Sequence, residues 1–223
     1  MSENYKIITT EDGSHSLHNV ELNESYHSLR GAMGESLHVF IEAGLKFIHQ
    51  EKKIKNISVF EVGFGTGLNA WLTWQYAIEN NLPVEYKSIE TSPLSKDIYS
   101  GLNYGEPDKF FQLHECPWEK YVAFENFSLE KSNQSLEEIE LHEVHFDLIY
   151  FDAFAPSKQP EIWSIENLEK CFRSLKPGGI LVTYCAQGQF KRNLAALGFE
   201  VQTLPGALGK KEMVRGVKLG NRW

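Results

Sequence analysis

The chain opens with two short runs of alternating polar and apolar positions, residues 4–10 (NYKIITT) and 14–20 (SHSLHNV), on either side of Asp12-Gly13. A period of two across an Asp-Gly dipeptide predicts a β-hairpin. The period changes in residues 34–50, where Leu37, Phe40, Ile41, Leu45 and Ile48 recur at helical spacing. From residue 57 apolar runs alternate with helical segments. Strands are predicted at 57–62 (ISVFEV), 84–90 (VEYKSIE), 126–131 (NFSLEK), 145–151 (HFDLIYF) and 179–184 (GILVTY). Helices are predicted over 67–80, from Pro93 onward, over 161–174 and over 187–197, with 107–125 partly helical. Two last strands, 199–204 and 212–218, flank LPGALGKK, close enough to pair antiparallel. Strand and helix alternating through short links predict an α/β fold with helices on both faces of a mostly parallel sheet. The count is seven strands, the last antiparallel, plus the small N-terminal hairpin. Residues 1–50 are expected to form a hairpin and helix extension packed on a core domain of residues 51–223.

Composition narrows the setting. No apolar run approaches the roughly 18 residues of a membrane span, and the N-terminus lacks the basic-then-apolar layout of a signal peptide. Cys116, Cys171 and Cys185 make an odd count without C-x-x-C, so they read as thiols of a reducing compartment, and the cytoplasm is expected. The net charge of −8 argues against a broad nucleic-acid surface. From Gln187 onward, however, Lys191, Arg192, Lys210, Lys211, Arg215, Lys218 and Arg222 outnumber Glu200 and Glu212. That basic tail reads either as a solvated face or as a local phosphate contact.

Four motifs carry candidate chemistry. In FEVGFGTGLNAWL, a strand runs into Glu61 and then into Gly63, Gly65 and Gly67 before a helix starts. Such a turn aims backbone N–H groups at a ligand. Leu68 stands where a dinucleotide fingerprint needs a small residue, which argues against NAD or FAD. Glu90 ends the second strand, where a carboxylate commonly accepts hydrogen bonds from ribose. Asp152, Phe154 and Pro156 follow the fourth strand in DLIYFDAFAPSKQPEIW. A carboxylate there can orient an amine and take its proton, and an aromatic ring can brace a base or a sulfonium. The alternative reading of Asp152 is a helix N-cap. The fourth motif, KPGGILVTY, is a turn into a buried strand. His142 and His145 form an H-x-x-H without companion ligands, so no metal site is expected. Ser157-Lys158 reads as an ordinary loop pair and Cys185 as a buried thiol.

Taken together, EVGFGTGLN (61–69), DAFAPSKQPEIW (152–163), KPGGILVTY (176–184), LGFEV (197–201) and GKKEMVRG (209–216) resemble the MnmD-like methyltransferases, stand-alone counterparts of the methyltransferase half of MnmC. A looser match is YHSLRGAMGESLHVFIEAGL (26–45). The resemblance implies a Rossmann-like class I fold that uses S-adenosyl-L-methionine and no metal. It implies methyl transfer to the amine of 5-aminomethyl-(2-thio)uridine at the tRNA wobble position. Glu61, Gly63, Phe64, Gly65, Gly67, Asn69, Glu90 and Tyr26 would then hold the cofactor, with Glu35 and His38 closing over it. Asp152, Phe154 and Pro156 would form the catalytic loop, and Lys210, Lys211 and Arg215 would meet the tRNA backbone of the anticodon arm. The acidic residue that many relatives carry near the adenine is replaced by SNQSLEE (132–138), which leaves Asn133, Gln134 or Ser135 for that contact. No second dinucleotide motif is present, so the FAD-dependent half of MnmC is not expected, and the aminomethyl group would come from partner enzymes. Two other classes stay open: an aminopropyltransferase resembling spermidine synthase, and a non-catalytic scaffold that binds adenosylmethionine.

Overall fold

The computed structural model describes residues 4–220; Arg222 of the basic tail lies outside them. β1 (Tyr5–Thr9) and β2 (His15–Asn19) pair antiparallel, and a two-residue β3 (Glu24–Ser25) adds to β2. Asp12 shapes the turn. Its carboxylate accepts the Thr10 hydroxyl at 2.7 Å and the Ser14 N–H at 3.0 Å, and it reaches the Gly34 N–H at 3.0 Å. The last bond matters because helix α1 (Ala32–Ser36) begins at Gly31, which offers no side-chain cap. Asp12 supplies the missing acceptor from outside the helix. Burial alone would raise its carboxyl, but the hydrogen bonds from Ser14, Thr10 and Gly34 outweigh that and pull it down to about 2.

α1 runs on into a wider, π-wound stretch, Leu37–Glu51. The expected apolar positions are buried there, apart from Leu37, which is 40% exposed. Gly44 lets the helix sit down on the sheet: a β-carbon there would lie 3.1 Å from Val182 Cγ2 and 3.2 Å from the Tyr150 ring.

The remaining elements are β4 (Ile57–Val62), α2 (Leu68–Glu79), β5 (Val84–Ile89), α3 (Lys96–Tyr99), α4 (Pro107–Glu115), β6 (Tyr121–Phe124), β7 (Phe127–Ser132), β8 (Phe146–Phe151), α5 (Ile165–Ser174), β9 (Leu175–Thr183), α6 (Gly188–Leu197), β10 (Phe199–Pro205) and β11 (Glu212–Lys218). The large sheet has the order β10-β11-β9-β8-β4-β5-β7-β6. The pairs from β9 to β7 are parallel, and β11 enters antiparallel between β9 and β10. All seven expected strands are present. An eighth, β6, pairs antiparallel with β7 at the edge. It is only four residues long and half-exposed, so it has little apolar pattern. Its turn at Glu125-Asn126 works because Asn126 takes φ 52°.

β8 (FDLIYF) is buried at all six positions. That is what a central parallel strand requires when helices cover both faces. One core includes the α1 extension, α2 and α4 with the hairpin residue Leu17; the other lies under α5 and α6. Each buried Leu, Ile or Phe contributes about 1.5–3 kcal/mol relative to exposure. Chain order reverses between β4 and β8, which opens a crevice at their carboxyl ends.

Candidate active site

Each glycine of the turn after β4 has its own reason. Gly63 has φ 93°, and a β-carbon there would lie 2.7 Å from the Asp152 carbonyl oxygen, so only glycine lets the β4 and β8 ends approach. Gly65 has φ 49° and lies under the Tyr26 ring, 3.1 Å from where its β-carbon would be. Gly67 has φ 75° and starts α2; a β-carbon there would meet His114 Nε2 at 3.0 Å. Gly67 therefore faces the protein interior and does not line the crevice.

The crevice is a cavity of about 410 Å³. Its lining includes Gly63, Phe64, Gly65 and Asn69 from the turn and α2, Glu90 from the end of β5, Asp152 and Phe154 from the β8 loop, Tyr184 after β9, and Tyr26 and Glu35 from the N-terminal segment. Glu90 accepts the Gly65 N–H at 2.9 Å and the Ser92 N–H at 2.8 Å, which ties the second strand to the glycine turn. Burial raises its carboxyl, and those backbone bonds oppose the rise. Tyr26 packs edge-on against Phe154, with ring centroids 4.9 Å apart, and so roofs the turn.

Asp152 sits at the base. Asn69 Nδ2 donates to Asp152 Oδ2 at 2.8 Å and to Glu61 Oε1 at 3.1 Å, bridging the two carboxyls. Glu61 is fully buried and does not line the cavity; its second oxygen accepts the Ser88 hydroxyl at 2.7 Å. The glutamate expected to touch a cofactor thus acts from below, through Asn69. Burial pushes Glu61 up to about 8, with the Asp152 charge adding to it and the Ser88 and Asn69 bonds opposing. Burial likewise pushes Asp152 up to about 7; Glu35 adds to the rise, while the Asn69 bond and Lys210 oppose it.

Several expected site residues are elsewhere. Pro156 lies beyond the lining, which takes Ala153, Phe154 and Ala155 from the same loop; the loop turns outward there, with Lys158 N–H bonded to the Ala155 carbonyl at 2.7 Å. His38 turns away to Pro205 O at 2.8 Å, while Glu35 faces the cavity. Asn133 spends its amide on Glu90 O at 2.7 Å, and the lining from this stretch is Gln134 and Ser135. The basic triplet is dispersed. Lys210 lines the cavity, pairs with Glu35 and lies 4.7 Å from the Tyr184 ring centroid. Arg215 is packed: it donates to Gln202 Oε1 at 2.9 Å and Ala43 O at 3.1 Å and stacks 3.6 Å over Phe47. Lys211 alone of the three is an exposed residue without a cavity contact.

Sequence reasoning missed Tyr184 and the role of Lys158. Tyr184 donates to Ala153 O at 2.8 Å and braces the loop that carries Asp152. Lys158 staples that loop to the N-terminal segment through Leu22 O at 2.9 Å. Only the GGILVTY strand end hinted at Tyr184. His142 and His145 lie with ring centroids 6.0 Å apart, and no cluster of three or more metal-ligating residues occurs among the described residues. Among them too, no helix is long and apolar enough to cross a membrane.

The cavity fits a cationic nucleoside. Among the described residues, its lining carries the carboxylates Glu24, Glu35, Glu90, Glu137 and Asp152 against a single ammonium, Lys210. The Asn69 Oδ1, buried at its base, has no hydrogen-bond partner. A sulfonium beside an amino-acid moiety suits such a lining, and an anionic pyrophosphate does not.

Comparison with known proteins agrees. Residues 122–219 match a family model described as S-adenosyl-L-methionine-dependent methyltransferase. The bifunctional protein MnmC of tRNA 5-methylaminomethyl-2-thiouridine biosynthesis from Pseudomonas entomophila is 30% identical over 220 residues, which is 91% of this chain and 34% of that protein. MnmC from Pseudomonas fluorescens is 30% identical over 89% of this chain and 32% of its own length. The chain thus spans about a third of the length of these relatives. The crystal structure of MNMC2 from Aquifex aeolicus superposes with a TM-score of 0.80 at 26% identity, over 95% of this chain and 69% of that one. The chain has a Rossmann-like class I fold, its residues 122–219 match an S-adenosyl-L-methionine-dependent methyltransferase model, and nearly all its length is similar to one third of MnmC.

Proposed function

We infer that the protein methylates the exocyclic amine of 5-aminomethyl-(2-thio)uridine at the wobble position of tRNA, giving 5-methylaminomethyl-(2-thio)uridine. One observation carries this reading: a half-buried aspartate with raised proton affinity stands at the base of an acidic cavity, where a cationic amine would be drawn in. The match to MnmC supports the nucleoside and the RNA.

When bound, S-adenosyl-L-methionine supplies the methyl group. Gly63 and Gly65 would hold its amino-acid part, Glu90 its ribose, and Gln134 or Ser135 its adenine. Tyr26 and Phe154, packed edge-on, would offer aromatic faces and edges to its sulfonium. The incoming amine is an ammonium in water and has no free lone pair. Asp152, held by Asn69, accepts its hydrogen bond, takes up one proton and leaves the lone pair aimed at the methyl group. A carboxyl near 7 is matched to that exchange at neutral pH. The tyrosine-braced backbone at Ala153 keeps the aspartate in place. Outside the cavity, exposed Lys211 and Arg30 offer contacts to phosphate.

The test is a methyl-transfer assay with tRNA carrying 5-aminomethyluridine, read by mass spectrometry of digested nucleosides. A methyl gain on that nucleoside is expected, and Asp152→Asn should lower kcat about 100-fold while calorimetry finds cofactor affinity nearly unchanged. Intact turnover in Asp152→Asn removes the proton-acceptor role. The acidic lining would also receive a polyamine. Binding of ordinary rather than decarboxylated adenosylmethionine separates the methyltransferase from an aminopropyltransferase.

A further inference from the structure

A cavity built to receive a cation holds a cation of its own. Among the described residues Lys210 is the single ammonium in the lining, and it enters from the β10–β11 loop close enough for its charge to act on Asp152. Left alone it would be drawn to the Asp152 carboxylate and occupy the place of the substrate amine. The structure shows it elsewhere. Its Nζ is paired with Glu35 Oε1 and rests over the Tyr184 ring. Glu35 is 5% exposed, and its other oxygen is fixed by the Ser28 N–H at 2.7 Å. Around the loop, Arg30 donates to Leu208 O at 2.9 Å, so the backbone next to Lys210 is anchored to the same N-terminal segment.

We propose that Glu35 is a positioning residue that holds Lys210 away from Asp152, which keeps the Asp152 carboxylate available to a cationic amine. The inference rests on the amine-methyltransferase reading of this site. It also gives the buried Glu35 a role: its partner is the lysine, and its effect is on selectivity.

Asp152 is faced from every side by groups that bear on its titration. Asn69 of α2 bonds it directly, and Glu61 of β4 lies behind Asn69. Tyr86 of β5 lies beneath, Tyr184 follows β9, and Glu35 and Lys210 come from the helix and the terminal loop. Glu24, Glu90 and Glu137 stand further round the lining. Of these, the Glu35–Lys210 pair alone joins opposite charges, so breaking it from one side or both gives effects of different sign.

The experiment follows the Asp152 carboxyl by ¹³C NMR titration of the protein alone, the signal being assigned with Asp152→Asn. Glu35→Gln frees Lys210 to approach, and the Asp152 midpoint should fall by about one pH unit or more. Adding Lys210→Met to Glu35→Gln should return it to within a few tenths of wild type. Lys210→Arg, with Glu35 intact, should leave it unchanged. In methyl transfer, Glu35→Gln should raise KM for RNA bearing 5-aminomethyluridine about tenfold, and the double variant should recover most of that loss. A midpoint that stays put in Glu35→Gln, or is not restored in the double variant, overturns the proposal. Should Glu35→Gln fail to fold, Lys210→Met decides: with no lysine to approach, its midpoint must not fall, and a fall overturns the proposal. Failure of wild type to methylate the RNA would sink the substrate assignment, while the titration still judges the positioning.

Discussion

Replacing Glu61 by Gln tests the electrostatics beneath the cavity. In the fold this carboxyl is fully buried and pushed up to about 8, whereas an unfolded chain would leave it at 4.5. Between those two values the native state binds a proton that the unfolded state releases. Stability from this group is therefore complete below 4.5 and is lost progressively as the pH rises toward 8. At about 1.4 kcal/mol per pH unit, the span amounts to roughly 5 kcal/mol, and relaxation around the charge makes about 3 kcal/mol a fair lower figure. Gln has no such proton. It can still accept from Asn69 and, with the Ser88 hydroxyl rotated, donate to it. Glu61→Gln should therefore match wild type near pH 5 and exceed it by about 3–5 kcal/mol at pH 9. A residual decline between about 4 and 7 should remain from Asp152, whose carboxyl is also raised. Urea unfolding at half-unit intervals from pH 5 to 9 measures both curves. If the two stay parallel, Glu61 ionises in the fold as it does in water, and the account of a protonated floor is wrong.

Two further outcomes follow from packing. Arg215→Met removes hydrogen bonds to Gln202 and Ala43 O and a guanidinium stacked on Phe47, so it should cost roughly 2 kcal/mol in urea unfolding. The salt dependence of RNA binding, followed by fluorescence anisotropy, should stay as in wild type, and a flatter slope would return this arginine to the RNA contacts. Gly63→Ala places a methyl against the Asp152 carbonyl at a positive φ; a loss of about 1–3 kcal/mol and a collapse of methyl transfer are expected, and normal activity would show that the β4 and β8 ends can part without consequence.

The sheet was legible because its strands are near-continuous apolar runs, most clearly FDLIYF, and because the glycine turn and the strand-end acids sit at fixed places in such sheets. β6 was not legible: four half-exposed residues leave no period to read. Glu61 and Asn69 show a different limit. Both lie in the expected motif, yet one is a buried support and the other a bridge between two acids, a distinction set by side-chain direction. The basic segment shows it again. Lys210, Lys211 and Arg215 look alike as a charge run, but β11 turns Arg215 onto the π-wound helix while the preceding loop turns Lys210 into the cavity. Pairings such as Glu35 with Lys210 join residues 175 positions apart and leave no local trace.

Those long-range stitches bear on when the protein becomes competent. Arg30 to Leu208, Glu35 to Lys210 and His38 to Pro205 each span between 167 and 178 positions. During synthesis the glycine turn, Glu90 and Asp152 can assemble with the central strands while the chain is still growing, but the wall above them needs a segment made near the start and a loop made near residue 208. Closing so large a loop is a late and slow event. The nascent protein would therefore pass through a stage with its central parallel strands paired and the crevice still open, and the site would be complete only once the two distant segments have met.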